Sequence, residues 1–185
     1  LRFECHPGKN RSDQEKAKEV VLLENKIDHF EDELGTYLVK VSSRDLSVED
    51  SQTISILLHC IGDFERISDH AVNVYESAKH CIDSNLYLTD SAINELKEIH
   101  QTINTAISLA LESLVTKDRE KCEIIKADED LIDNLVAKGR DNHIERLEAG
   151  LCKPAVGVVY FGILSDLERV GDRCNNIAIR IIENF

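Results

Sequence analysis

Apolar residues recur every three or four positions along most of the chain, a pattern that predicts five long helices with short breaks between them. From about residue 13 to 42 the stripe is Val20, Leu23, Ile27, Phe30, Leu34, Leu38 and Val41. Residues 43–45 make a turn. Ser47 followed by Asp50 reads as a capping box that opens a second helix, carried to about Cys81 by Leu57, Ile61, Phe64, Ala71, Tyr75 and Ala78. After a loop at 82–88, Thr89 or Asp90 caps a third helix to about residue 115 on Ile93, Leu96, Ile99, Ile103, Ile107, Ala110, Leu111 and Leu114. A fourth, about 118–149, holds Ile125, Leu131, Ile132, Leu135 and Leu147, and Gly150 is its stop. Pro154 suits the first turn of a fifth, which continues through Ile163, Leu167, Val170, Ala178 and Ile181 to the end. Residues 1–12, LRFECHPGKNRS, have no period and read as a linker or remnant.

The polar positions carry a repeat. Residues 63–73 read DFERISDHAVN and residues 166–176 read DLERVGDRCNN, the same phrase 103 residues apart. On a helix, Glu65 and Asp69 share one face a turn apart, with Asn73 beyond them; Glu168, Asp172 and Asn176 do the same. Upstream of each phrase is another acid pair, Glu24 and Asp28 in ENKID, Glu129 and Asp133 in EDLID. Like charges at i,i+4 repel by a few tenths of a kcal/mol, so four copies need compensation.

Geometry offers it. The first two pairs lie near residues 26 and 67 with the turn about midway, so an antiparallel hairpin brings them to one height; the pairs near 131 and 170 repeat this around the next turn. Partly buried carboxylates without countercharge must bind a cation, take up protons, or find Arg and Lys. The repeat unit is then a packing helix followed by two acid-bearing helices. Repeat two, 89–185, is complete; repeat one, 13–82, lacks its packing helix, which is expected upstream of Leu1.

Charge and composition narrow the chemistry. With 185 residues and a formal charge of −13, the chain has no basic run to replace counterions on a phosphate backbone, which argues against nucleic acid. Six cysteines without C-x-x-C spacing are no zinc-finger layout and fit a reducing cytosol. No run of about 20 apolar residues could span a bilayer. All-oxygen ligands favour hard cations such as Mg²⁺, Mn²⁺, Ca²⁺ or Fe³⁺, with room to bridge more than one. One residue along from Asp69, His70 turns about 100° off the acid face and is expected to be exposed or paired with a polar group. Arg66 and Arg169 are expected to bridge to Asp69 and Asp172 and orient them. Asn73 and Asn176 either complete the ligand shell or hydrogen-bond to it, whereas Asp63 and Asp166 point to another side. A ferritin-type di-iron site needs Glu-x-x-His, which is absent, and no nucleophilic triad or nucleotide loop stands out. The expectation is a non-enzyme.

At these motifs the sequence resembles the PhoU family of phosphate-uptake regulators, over nearly all of residues 13–185. The resemblance implies an all-α fold of two pseudo-repeated antiparallel three-helix bundles, the first missing its N-terminal helix. It also implies multinuclear iron or zinc clusters, one on Glu24, Asp28, Glu65 and Asp69 and the other on Glu129, Asp133, Glu168 and Asp172. Ligand softness favours iron or another exchangeable cation over zinc. In EDLID, Glu129 and Asp130 compete for one role. The wording HCIGDFERISDHAVN is similar to the cytoplasmic tails of Na⁺/phosphate cotransporters. That likeness implies a metal-binding regulatory domain held at the inner face of the cell membrane, with a transporter domain of the same or another chain as partner and room for a homodimer. The alternatives are a free-standing adaptor for a phosphate ABC transporter and sensor kinase, and a purely structural bundle.

Overall fold

The computed structural model describes residues 11–184, which form five α-helices: α1 (Arg11–Ser42), α2 (Val48–Asp83), α3 (Asp90–Thr116), α4 (Arg119–Glu148) and α5 (Pro154–Asn184). The expected linker falls mainly on residues 1–10, outside the described residues; α1 already includes residues 11 and 12. Local chemistry sets the helix starts. The Ser47 hydroxyl accepts the Asp50 N–H at 3.0 Å and donates to the Asp50 carboxylate at 2.7 Å. Thr89 caps α3 by accepting the Ala92 N–H at 3.3 Å, and Asp118 caps α4 by accepting from Glu120 and Lys121 at 3.0 and 3.3 Å. After α4, Gly150 takes a φ of +70°, a left-handed turn that glycine enters without a Cβ penalty.

The second repeat is a full bundle. Each of α3, α4 and α5 packs on the other two, around Leu96, Ile99, Ile125, Ile132, Ile163 and Ile177. On the far side of α5 lies α2, and among the described residues α1 packs on α2 alone. Among the described residues the first repeat is therefore a two-helix hairpin. This corrects the expected seam of α1: one neighbour covers only part of a wide stripe, so Leu23, Phe30 and Leu34 are exposed and Leu38 alone of the stripe is buried. In α2, Leu57, Ile61, Ala71 and Tyr75 are only half-buried. Its deeper face carries Ile56, Cys60, Asp63 and Val74. Leu111 and Leu131, expected in the core, are also exposed.

That deeper face explains part of the repeat. Asp63, 4% exposed, pairs with Arg173 and Arg180 of α5, each at 3.5 Å. Asp166 of α5 meets His70 of α2 at 2.9 Å and accepts from Asn73 at 3.3 Å. In the internal alignment Asp63 corresponds to Asp166, and His70 to Arg173. The contact is thus reciprocal, residue i on j and j on i, as across a two-fold axis. Higher numbers on one helix meet lower numbers on the other, so α2 and α5 cross antiparallel.

α3, read as plain packing, holds a polar pin. Glu95 accepts both Arg146 guanidinium nitrogens of α4 at 2.8 and 3.0 Å, Asn142 at 2.9 Å, and the buried Tyr160 hydroxyl of α5. One carboxylate ties three helices. Among the described residues the cysteines are all free thiols, and burial pushes Cys60 up to about 11 and Cys174 up to about 12, so both sit in the core as neutral groups. No described helix is long and apolar enough to cross a membrane.

Candidate metal centre

The α1–α2 hairpin places one oxygen each of Glu24, Asp28 and Asp69 within 4.8 Å of one another, and all three residues are half-buried. Glu65 lies one turn before Asp69 on the same face of α2, close enough for the Asp69 charge to act on it. Glu65 is pushed above the usual carboxylate range by burial first, then by Asp69, Asp28 and Glu31. Glu24 is raised by the same two causes, burial and then repulsion from Asp28 and Asp69. One buried oxygen of Asp28 has no hydrogen-bond partner. The charges that raise Glu24 and Glu65 are all acidic.

The α4–α5 hairpin builds the counterpart. Oxygens of Glu129, Asp133 and Asp172 lie within 4.8 Å of one another, with Glu129 half-buried and the two aspartates exposed. Of the two acids competing in EDLID, Glu129 lies in the triad, and Asp130 is exposed and outside it. Burial raises Glu129, helped by Asp133, Asp130 and Asp172 and opposed by a hydrogen bond from Asn175. Asp133 is raised by burial, then by Glu168 and Asp172, and is lowered by Arg140. Glu168, equivalent to Glu65, acts on Asp133 but is itself paired: Arg140 Nη2 reaches its carboxylate at 2.7 Å and the Ser165 hydroxyl at 3.2 Å. α4 and α5 pack closely beside this pair, where Gly171 carries no side chain; a Cβ there would stand 3.1 Å from Ile132 Cδ1.

Six of the eight expected ligands therefore converge as two triads, Glu65 stands against its triad, and Glu168 is drawn into an ion pair. His70 is polar-paired, through Asp166. Arg66 and Arg169 make no ion pair among the described residues; both point into solvent, where screening and side-chain entropy remove the gain of an i,i+3 bridge. Asn73 bonds to Asp166 rather than to an acid cluster. Asp63 and Asp166 do face away from the acids, toward the other repeat. Glu31 and Arg140 were missed. Aligning ENKID with EDLID sets Glu31 opposite Val136 and Gly35 opposite Arg140, a difference visible in the sequence once the register is fixed.

Clustered carboxylates, a buried unpartnered oxygen and acids held toward their protonated form suit a hard divalent or trivalent cation. Glu24, Asp28 and Asp69 would hold it in one hairpin and Glu129, Asp133 and Asp172 in the other, with Glu65 in reach of the first. Such an ion would relieve the repulsion among these carboxylates.

A family model for the PhoU domain matches residues 9–78 and 96–181. The phosphate-specific transport system accessory protein PhoU homolog 1 of Thermotoga maritima is 26% identical over 172 residues, 90% of this chain and 71% of that protein. The PhoU homolog of Clostridium acetobutylicum is 21% identical over 178 residues, 95% of this chain and 80% of that protein. The crystal structure of PhoU from Pseudomonas aeruginosa superposes with a TM-score of 0.83 at 20% identity, covering 91% of this chain and 80% of that one. With both acid-bearing hairpins inside the matched residues, the chain belongs to the PhoU domain family.

Proposed function

We propose that the protein is a metal-binding accessory regulator of phosphate transport, acting by binding rather than catalysis. The observation that carries this reading is the paired carboxylate triad, built twice from the same repeated motif. The relatives named above are accessory proteins of phosphate-specific transport systems, and the chain spans most of their length. That favours the free-standing adaptor over the cotransporter tail suggested by the wording around Asp63. Its partner would be a component of the transport machinery at the inner face of the membrane, and a second copy of the chain is a further candidate. Iron is favoured over zinc because every donor is a carboxylate oxygen.

Elemental analysis of protein purified without an immobilised-metal column tests the reading. The expected result is bound iron or manganese, lost from one cluster in Asp69→Asn and from the other in Asp172→Asn. A metal content near zero, with no uptake of Mn²⁺ by the stripped protein, would sink it.

A further inference from the structure

The two acid clusters are related by the internal repeat but differ in charge. Around the first stand Glu24, Asp28, Glu65 and Asp69, with Glu31 acting on Glu65. Position 35, which the repeat sets opposite Arg140, is a glycine with open space where a side chain would go. Around the second stand Glu129, Asp133, Glu168 and Asp172, with Asp130 acting on Glu129 and Asp133; the difference is Arg140, which closes on Glu168 at 2.7 Å while also acting on Asp133. The first triad is half-buried throughout, and the second is exposed at Asp133 and Asp172. A cation entering the first cluster meets five carboxyls, none of them in an ion pair among the described residues. In the second it meets a guanidinium already in place.

We infer that Arg140 is a built-in counter-ion that makes the two cation sites unequal: the α1–α2 cluster fills first, and the α4–α5 cluster is held in a weaker state by its own arginine. The inference rests on the metal-binding reading and adds an order of filling and the residue that sets it. Like charges a few ångströms apart in a partly screened site repel strongly enough to change affinity by roughly tenfold or more. Arg140 acts on the cation site through Glu168 and Asp133, as a positioning and charge-balancing residue.

The test is a calorimetric Mn²⁺ titration of the metal-stripped full chain, with Asp69→Asn and Asp172→Asn used to assign the steps. The wild type should show a tight class lost in D69N and a weak class lost in D172N. Arg140→Gln should tighten the weak class by roughly tenfold while lowering the melting temperature of the metal-free protein. A merely structural arginine would move both readouts in the unfavourable direction. In reverse, Gly35→Arg should weaken the tight class by a similar factor, with Gly35→Gln as the control for helix propensity. Two classes of equal affinity, or a gap that R140Q leaves unchanged, would overturn this inference and leave the metal reading standing. No Mn²⁺ uptake by any of these proteins would overturn both.

Discussion

Glu95 shows how one side chain can set stability without marking itself in the sequence. Burial alone would push its carboxyl up, yet hydrogen bonds from Arg146, Tyr160 and Asn142 outweigh that and hold it below the usual range. Arg146 is itself buried, so Glu95→Gln leaves a guanidinium without its countercharge inside the bundle. The expected loss is about 2–4 kcal/mol at neutral pH, read from urea unfolding followed by circular dichroism. A carboxyl lowered in the fold contributes stability above its unfolded value of 4.5, and loses it as pH falls through the lower folded value. The gap between wild type and E95Q should therefore be full at pH 7 and shrink below about pH 4. Glu65 has the opposite sign. Raised in the fold, it binds a proton more tightly there than in the unfolded chain, so its cost appears as pH rises past 4.5. Metal-free Glu65→Gln should match the wild type near pH 4 and exceed it in stability at pH 7; equal stability throughout would show that the cluster is relaxed by solvent. Glu65 was legible because its motif recurs. Glu95 was not, being one of 35 acidic residues with no repeat to set it apart.

At the scale of elements, periodicity located every helix, since caps and breakers are local: Ser47, Thr89, Asp118, Gly150 and Pro154 mark boundaries through their own backbone chemistry. It could not say which side of a stripe would be covered. α1 carries a stripe wide enough for two neighbours and touches one; α2 has two buried faces, and the one turned to α5 is centred on an aspartate. Asp63 and Asp166 belong to the repeated phrase, so they stood out, but the pattern alone gave them no partner. Their reciprocal placement makes the α2–α5 crossing a charged clamp between repeats, set in the same helical turns as Glu65, Asp69, Glu168 and Asp172. Removing Asp63 leaves Arg173 and Arg180 partly open to water, at 25% and 32% exposure, which limits the damage. Asp63→Ala should cost about 2 kcal/mol, and Arg180→Ala in that background should cost much less than in the wild type. Additive losses in this double-mutant cycle would mean that the 3.5 Å pairs contribute no coupling.

Across the whole molecule, a charge of −13 on 185 residues means that the compact state gathers repulsion that the unfolded chain spreads out. Two effects of added cations then need to be told apart. Monovalent salt screens exposed acids wherever they lie, so the melting temperature of the metal-free protein should climb gradually with NaCl and level off as the screening length falls below the spacing of surface charges. A divalent ion held by a triad acts by mass action on the folded state alone, adding about 2.7 kcal/mol per site at a hundred times its dissociation constant and saturating with a defined stoichiometry. At matched ionic strength, Mn²⁺ should therefore raise the melting temperature well beyond NaCl. The combined variant Asp69→Asn, Asp172→Asn should keep the NaCl response and lose the Mn²⁺ increment, because it removes one carboxylate from each triad and leaves nearly all of the remaining surface charge in place. If the variant keeps the increment, the divalent ion is acting on the diffuse charge of the surface, and the repeated acids are solvated faces of the helices rather than two built sites.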